Sequence, residues 1–267
     1  MVTRTGRGLG ARGQAPATPA QEGHRVCVYA IIRTDHRLPV DARGVGNPPV
    51  RVRKVDGNGV AAVVSDAPGD LRARRRDLLA HQDLLLGLAE TGSVLPMRFG
   101  SVAGGDEAVL KQLRDGEQRY AATLRRLDGR VEFNLKASPD PDALAAVVRE
   151  DREVRQLSAA ARRRPGYEAN IRLGQAVAAA LDRRAARAAR DTLETLVPLA
   201  DAMATGPDVP GCVLNASFLV ERGLREAFRD AVAAMTDRHR NRAVLKLAGP
   251  LPCYSFAASG ADEPVGA

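Results

Sequence analysis

The sequence contains no tryptophan, four tyrosines and five phenylalanines in 267 residues. Rings this sparse, and this scattered, exclude a stacking platform for single-stranded nucleic acid, which interleaves aromatics with basic residues. Cysteine is also scarce: Cys27, Cys212 and Cys253 stand far apart, with no CxxC. That excludes a disulfide framework and a cysteine-held zinc site, and it fits a reducing, cytosolic setting. The four histidines, His24, His36, His81 and His239, form neither HExxH nor an HxH pair. Long apolar runs are missing too. The longest, near 60–64 and 212–220, fall far below the ~20 residues that span a bilayer, so no membrane segment is expected. Residues 1–24 lack an apolar signal-peptide core and, rich in Gly, Ala, Pro, Thr and Arg, read as a disordered tail.

Lysine appears only at Lys54, Lys111, Lys136 and Lys246, so arginine supplies most of the net charge of +8. A basic balance raises nucleic acid as a partner. An Arg/Ala-rich composition also follows from codon usage alone, so charge by itself is a weak pointer. The densest patch, RARRRD after Asp70, is read as the solvated face of a helix beside Asp70 and Asp77. A basic α+β nucleic-acid-binding protein is kept as the alternative function.

Strand and helix signals interleave along the chain. VCVYAIIR (26–33) is a β-rich run, and the alternation in VRVRKV (50–55) predicts a half-buried strand. DGNG turns it back onto VAAVVS (60–65) as a hairpin. A helix capped by Asp70 should follow, with leucines at 71, 78, 79, 85, 86 and 88 on one face. SVLPMRFGS (93–101) is a short strand whose Pro96 places it at an edge or an end. The periodicity predicts a helix over 106–127, with Leu110, Leu113, Tyr120, Leu124 and Leu127 on its buried side.

DGR (128–130) breaks that helix, and VEFNLKA (131–137) alternates as a strand with Glu132, Asn134 and Lys136 on its polar face. SPDPD starts a helix whose apolar spacing runs from Leu144 to Leu157, and RRRPG precedes a long Ala/Arg helix to about Thr195. CVLNASFLV is a buried strand, residues 224–235 trace a helical face, and RAVLKLAG (242–249) is the last strand. The expectation is an α+β protein of two α/β modules with mixed or antiparallel sheets, each with helices on one face. The modules span 25–127 and 128–257, the second ferredoxin-like, and a flexible C-terminus covers 258–267.

Catalytic motifs are sparse. GRGLG at 6–10 approaches GxGxxG, but no strand precedes it; GxxxxGK[ST] and GxSxG are absent. No catalytic residue, metal ligand or cofactor site is assigned. In AGPLPCYSFA (248–257) the thiol of Cys253 invites a nucleophile reading. A reactive thiolate needs a base or a cation beside it. The nearest histidine in sequence, His239, precedes the last strand and should lie at its opposite end. Packing is the better reading: Tyr254 and Phe256 bring apolar area, and Pro250 and Pro252 stiffen the backbone.

Two stretches together resemble the signature blocks of the gas vesicle GvpL/GvpF family. VLPMRFGS matches the first through Leu95, Pro96, Arg98, Phe99 and Gly100. AGPLPCYSF matches the second, a Gly-Pro-Trp-Pro-Pro-Tyr-Ser-Phe run, through Gly249, Pro250, Pro252, Tyr254, Ser255 and Phe256. Leu251 replaces the usual Trp, and Cys253 replaces a Pro. CVLNASFLVERGLREAF resembles the family's asparagine-bearing strand through Asn215, Phe218, Leu219 and Val220.

The resemblance covers about 25–256. It implies a modified ferredoxin fold in the second module and a non-enzymatic role in the cytoplasm and at the gas vesicle. The implied partners are the hydrophobic shell subunit and other accessory proteins. Under it Arg98 has two readings: an anchor for a partner carboxylate, or a tie across the module junction to backbone carbonyls.

Overall fold

The computed structural model describes residues 24–257. The expected flexible C-terminus, 258–267, and all of the expected 1–24 tail except His24 lie outside the described residues. The first sheet is built around β1 (Val26–Arg33). On one side β1 pairs antiparallel with β3 (Val60–Asp66), which carries the outer β2 (Arg53–Asp56) as a hairpin partner. On its other side lie the two-residue strands β4 (Leu95–Pro96) and β5 (Val102–Ala103), also antiparallel. Pro96 sits on this short edge strand, where a missing N–H costs no central ladder bond.

The first sheet corrects the one-sided expectation. Helix α1 (Arg75–Thr91) buries Leu84, Leu85 and Leu88 against Tyr29, Ala30, Ile32 and Val63. Helix α2 (Asp106–Leu127) buries Val109, Leu113, Leu124 and Leu127 against Val28, Ile31, Ala62 and Val64 on the opposite face. A strand packed on both faces needs apolar residues at every position, and VCVYAII and VAAVV supply them. Two local expectations also change. Val50 to Val52 leave the β2 ladder because they bond to the preceding loop, Gly44 N–H to Val50 O (2.8 Å) and Val52 N–H to Ala42 O (3.0 Å). Asp70 does not cap α1; its carboxylate takes Arg72 and Arg74, each at 2.6 Å, which also neutralises part of the basic patch.

After α2, Gly129 turns the chain at φ +68 into β6 (Arg130–Pro139). The predicted single helix over 144–157 is two, α3 (Leu144–Glu150) and α4 (Arg152–Arg163). Asp151 makes the break: its carboxylate accepts from the N–H groups of Glu153 and Val154 at 3.0 and 3.1 Å, an N-cap that starts a new helix. Helix α5 (Tyr167–Leu196) follows, then β7 (Ala202–Thr205), β8 (Leu214–Glu221), α6 (Arg225–Arg238), β9 (Ala243–Leu251) and the single turn α7 (Tyr254–Ala257). The strands of this second sheet lie in the order β7-β8-β6-β9, all neighbours antiparallel. Phe133, Leu135, Phe218 and Val220 face α5 and α6, where Phe228 sits 5.3 Å from both phenylalanine rings.

Candidate functional site

The two signature blocks are 150 residues apart in sequence, yet they meet. In the first block, Leu95 and Pro96 pair with Ile31 and Ala30, and Met97 N–H continues the ladder to Tyr29 O (2.8 Å). The chain then turns at Arg98–Ser101: Gly100 has φ +87, and the Ser101 hydroxyl donates back to Arg98 O at 2.8 Å. Phe99 folds under the turn, edge-on to His81 at 5.7 Å. His81 Nε2 donates to Met97 O at 3.1 Å, and burial holds the ring's pKa below its ordinary value, so it stays neutral.

In the second block, Gly249 has φ +139 and is a bulge partner of Phe133 on β6. Arg229 clamps it: its guanidinium lies over the Phe133 ring at 5.6 Å and donates to Gly249 O at 2.8 Å. Pro252 and Cys253 are buried, and α7 carries Phe256 and Ala257 into the core of the first sheet. There they share one cluster with Leu95 of the first block, Leu219 of β8 and Leu124 and Leu127 of α2. Arg126 of α2 donates to Phe256 O. The last residues described therefore strap the second sheet onto the first.

A partly buried polar network anchors the strap. Glu132, only 3% exposed, accepts from both the N–H (2.9 Å) and the hydroxyl (2.7 Å) of Ser255. The Ser255 and Ser217 hydroxyls lie 2.9 Å apart, and Asn134 Nδ2 donates to Ser217 Oγ (3.2 Å) and Asn215 Oδ1 (3.0 Å). Glu132 was expected on the polar face of its strand. It is buried because α7, more than 120 residues later, covers it. A carboxylate two places from Asn134 on an alternating strand was the only sequence sign of this network.

Arg98 makes neither a hydrogen bond nor an ion pair with its side chain among the described residues; it is exposed. Junction ties come from other arginines: Arg126, and Arg222, whose Nη2 donates to Ala89 O at 2.6 Å. Leu251 is half-buried at the end of β9 and belongs to no core cluster. Pro250 and Tyr254 are exposed.

Cys253 is packing. Burial, and secondarily the charge of Glu132, pushes its thiol up to about 12; burial takes Cys27 to about 11. Thiolate is the reacting form. A thiol reagent at pH 8 is therefore expected to label Cys212 first in the native protein, with Cys27 and Cys253 reacting only after unfolding. Mass mapping of the labelled cysteines checks this; rapid labelling of Cys253 would return the nucleophile reading.

Comparison with known proteins gives one family throughout. The sequence model described as "Gas vesicle synthesis protein GvpL/GvpF" matches residues 26–258. "Gas vesicle protein F" of Streptomyces sp. (strain CB03234) is 43% identical over 233 residues, covering 86% of this chain and 98% of the relative. "Gas vesicle protein L" of the same strain is 31% identical over 257 residues, covering 88% and 94%. In fold, the crystal structure of GvpF from Anabaena sp. PCC7120 superimposes with a TM-score of 0.71 at 24% identity, covering 88% of this chain and 98% of that one. GvpF from Microcystis aeruginosa gives 0.68 at 23%, covering 87% and 98%. The chain is a member of the GvpL/GvpF family of gas vesicle synthesis proteins.

Proposed function

We propose that this protein is an assembly accessory or minor structural component of gas vesicles that acts in the cytoplasm by binding the hydrophobic shell subunit and other accessory proteins. The observation that carries this reading is the family match over the described body. The β-α-β-β-α-β order of β6 to β9 supports a modified ferredoxin-like second module over 128–257, with α3 and α4 as the modification and 252–257 as its strap to a first module over 25–127. Among the described residues no helix is long and apolar enough to cross a membrane.

The two signature blocks then divide by place. Leu95, Pro96, Phe99, Gly249, Pro252, Ser255 and Phe256 hold the strap and its turn. Arg98, Gly100, Pro250 and Tyr254, exposed around the same junction, are assigned to partner contact.

The shell subunit is assigned to the outer edge of β7. This strand pairs only with β8 among the described residues, and Met203 on it is 42% exposed. Gly206 N–H donates to Asn215 O at 2.8 Å; by antiparallel alternation the N–H of Met203 points away from β8, free for strand addition. Met203→Pro is therefore expected to cut capture of the shell subunit several-fold while leaving the thermal transition nearly unchanged. Wild-type capture no better than bare resin would defeat the assembly reading. Undiminished capture by the proline variant would defeat only the edge assignment.

A further inference from the structure

Helix α5 carries a second face beside the one that packs on the sheet. Arg183, Arg184, Arg187 and Asp191 recur on it at helical spacing, and with His239 and Arg242 they line an open cleft of about 590 Å³. Four carboxylates answer some of this charge, Glu153 the most distant at 4.0 Å from Arg183. Arg184 Nη1 donates to Glu150 Oε2 at 2.9 Å, and Arg183 Nη2 to Asp151 Oδ2 at 3.1 Å. Asp191 is shared between Arg238 and His239, at 3.3 and 3.1 Å. The guanidiniums of Arg187 and Arg242, both exposed residues, have no hydrogen bond or ion pair among the described residues.

The interior of the cleft is also unsatisfied. His239 is 2% exposed; its Nε2 faces the Asp191 carboxylate at 3.1 Å, but its Nδ1 has no partner, and the buried Nε of Arg184 has no acceptor. Buried donors are normally paired, so such a group asks what completes it. Water is the plainer occupant. Two unpaired guanidiniums at the mouth and an imidazole deeper in point to something more. Guanidiniums fork onto phosphate oxygens, and a phosphate has a third oxygen left for the ring, whereas a carboxylate has only two. The volume lies within the ~300–1,000 Å³ of small-molecule sites.

We propose that this cleft binds a phosphate group, free or carried on a small molecule, through Arg187, Arg242 and the imidazole of His239. The site lies apart from the junction and from β7, so it stands independently of the shell-binding reading.

The test titrates the full chain at 150 mM salt with inorganic phosphate and with ATP as probes, by calorimetry and by ¹⁵N NMR of the histidine rings. Saturable binding of either probe is expected, with the His239 resonances shifting and Arg187→Ala and Arg242→Ala each weakening it by about tenfold or more. Equal affinity per phosphate for the two probes assigns free phosphate; a preference for ATP assigns a phosphorylated small molecule. Arg172→Ala, on the same helix but paired with Glu168 outside the cleft, should change nothing. No saturation by either probe, an unmoved His239 signal, or an equal loss with Arg172→Ala overturns the proposal. So does binding of a polyglutamate peptide where both phosphate probes are inert.

Discussion

Phe256→Ala is expected to lower the unfolding free energy by about 3–5 kcal/mol, the range for deleting a buried phenylalanine. The ring is 5% exposed and touches a cluster drawn from β1, β4, α2 and β8, so the cavity would open between both sheets. The neighbours that could collapse into it are held by ladders: Leu95 by its pairing with Ile31, Leu219 by its place opposite Glu132. Filling the void would also drag on the strap, whose backbone is fixed at Ser255 by Glu132 and at Phe256 by Arg126. Denaturant unfolding measures the loss. Tyr167→Ala is the control: 84% exposed at the start of α5, it should stay within about 0.5 kcal/mol. A loss under about 1 kcal/mol for Phe256→Ala would mean that the strap is not docked and that the sheets are joined by other contacts.

Gly249→Ala should be of similar size for a different reason. A Cβ there would stand 2.6 Å from Phe133 Cδ1 and 2.9 Å from Glu132 O, and the backbone sits at φ +139, where side chains are strained. Strain of about 1–3 kcal/mol adds to about 1–3 kcal/mol of overpacking, so roughly 2–6 kcal/mol is expected. Phe133 cannot swing aside, because Phe228 stacks on it at 5.3 Å and Arg229 lies over its ring at 5.6 Å. Gly100→Ala isolates the conformational part: φ is +87 but nothing lies within 4 Å of its would-be Cβ, so about 1–2 kcal/mol should be lost. Equal losses at the two glycines, measured by the same denaturant titration, would show that Gly249 is chosen for φ alone and not for its contact with Phe133.

The elements that were legible share one property: their signal is local. Helix α2 runs from Asp106 to Leu127 as its 3.6-residue spacing and its flanking glycines indicate. β6 and β8 keep Val131, Phe133, Leu135 and Phe218, Val220 on one face, as alternation requires. The split of 144–157 into α3 and α4 was less visible, because an aspartate inside an apolar helical pattern reads equally as a surface residue or as a cap. β7 carried no signal: AMAT is short, and its four residues are mostly exposed.

At the candidate site the balance shifts. The sequence by itself determined that the second block is rigid and apolar, through Pro250, Pro252 and Phe256, and it carried the family motif. It also left Cys253 without a sequence neighbour able to activate it. Only the tertiary structure decided which polar groups are buried. Glu132 is covered by Ser255 of a distant segment, while Arg98, with the same motif standing, faces solvent. The physical reason is that alternation along a strand assigns a residue to a face, and burial of that face depends on what else the chain lays over it.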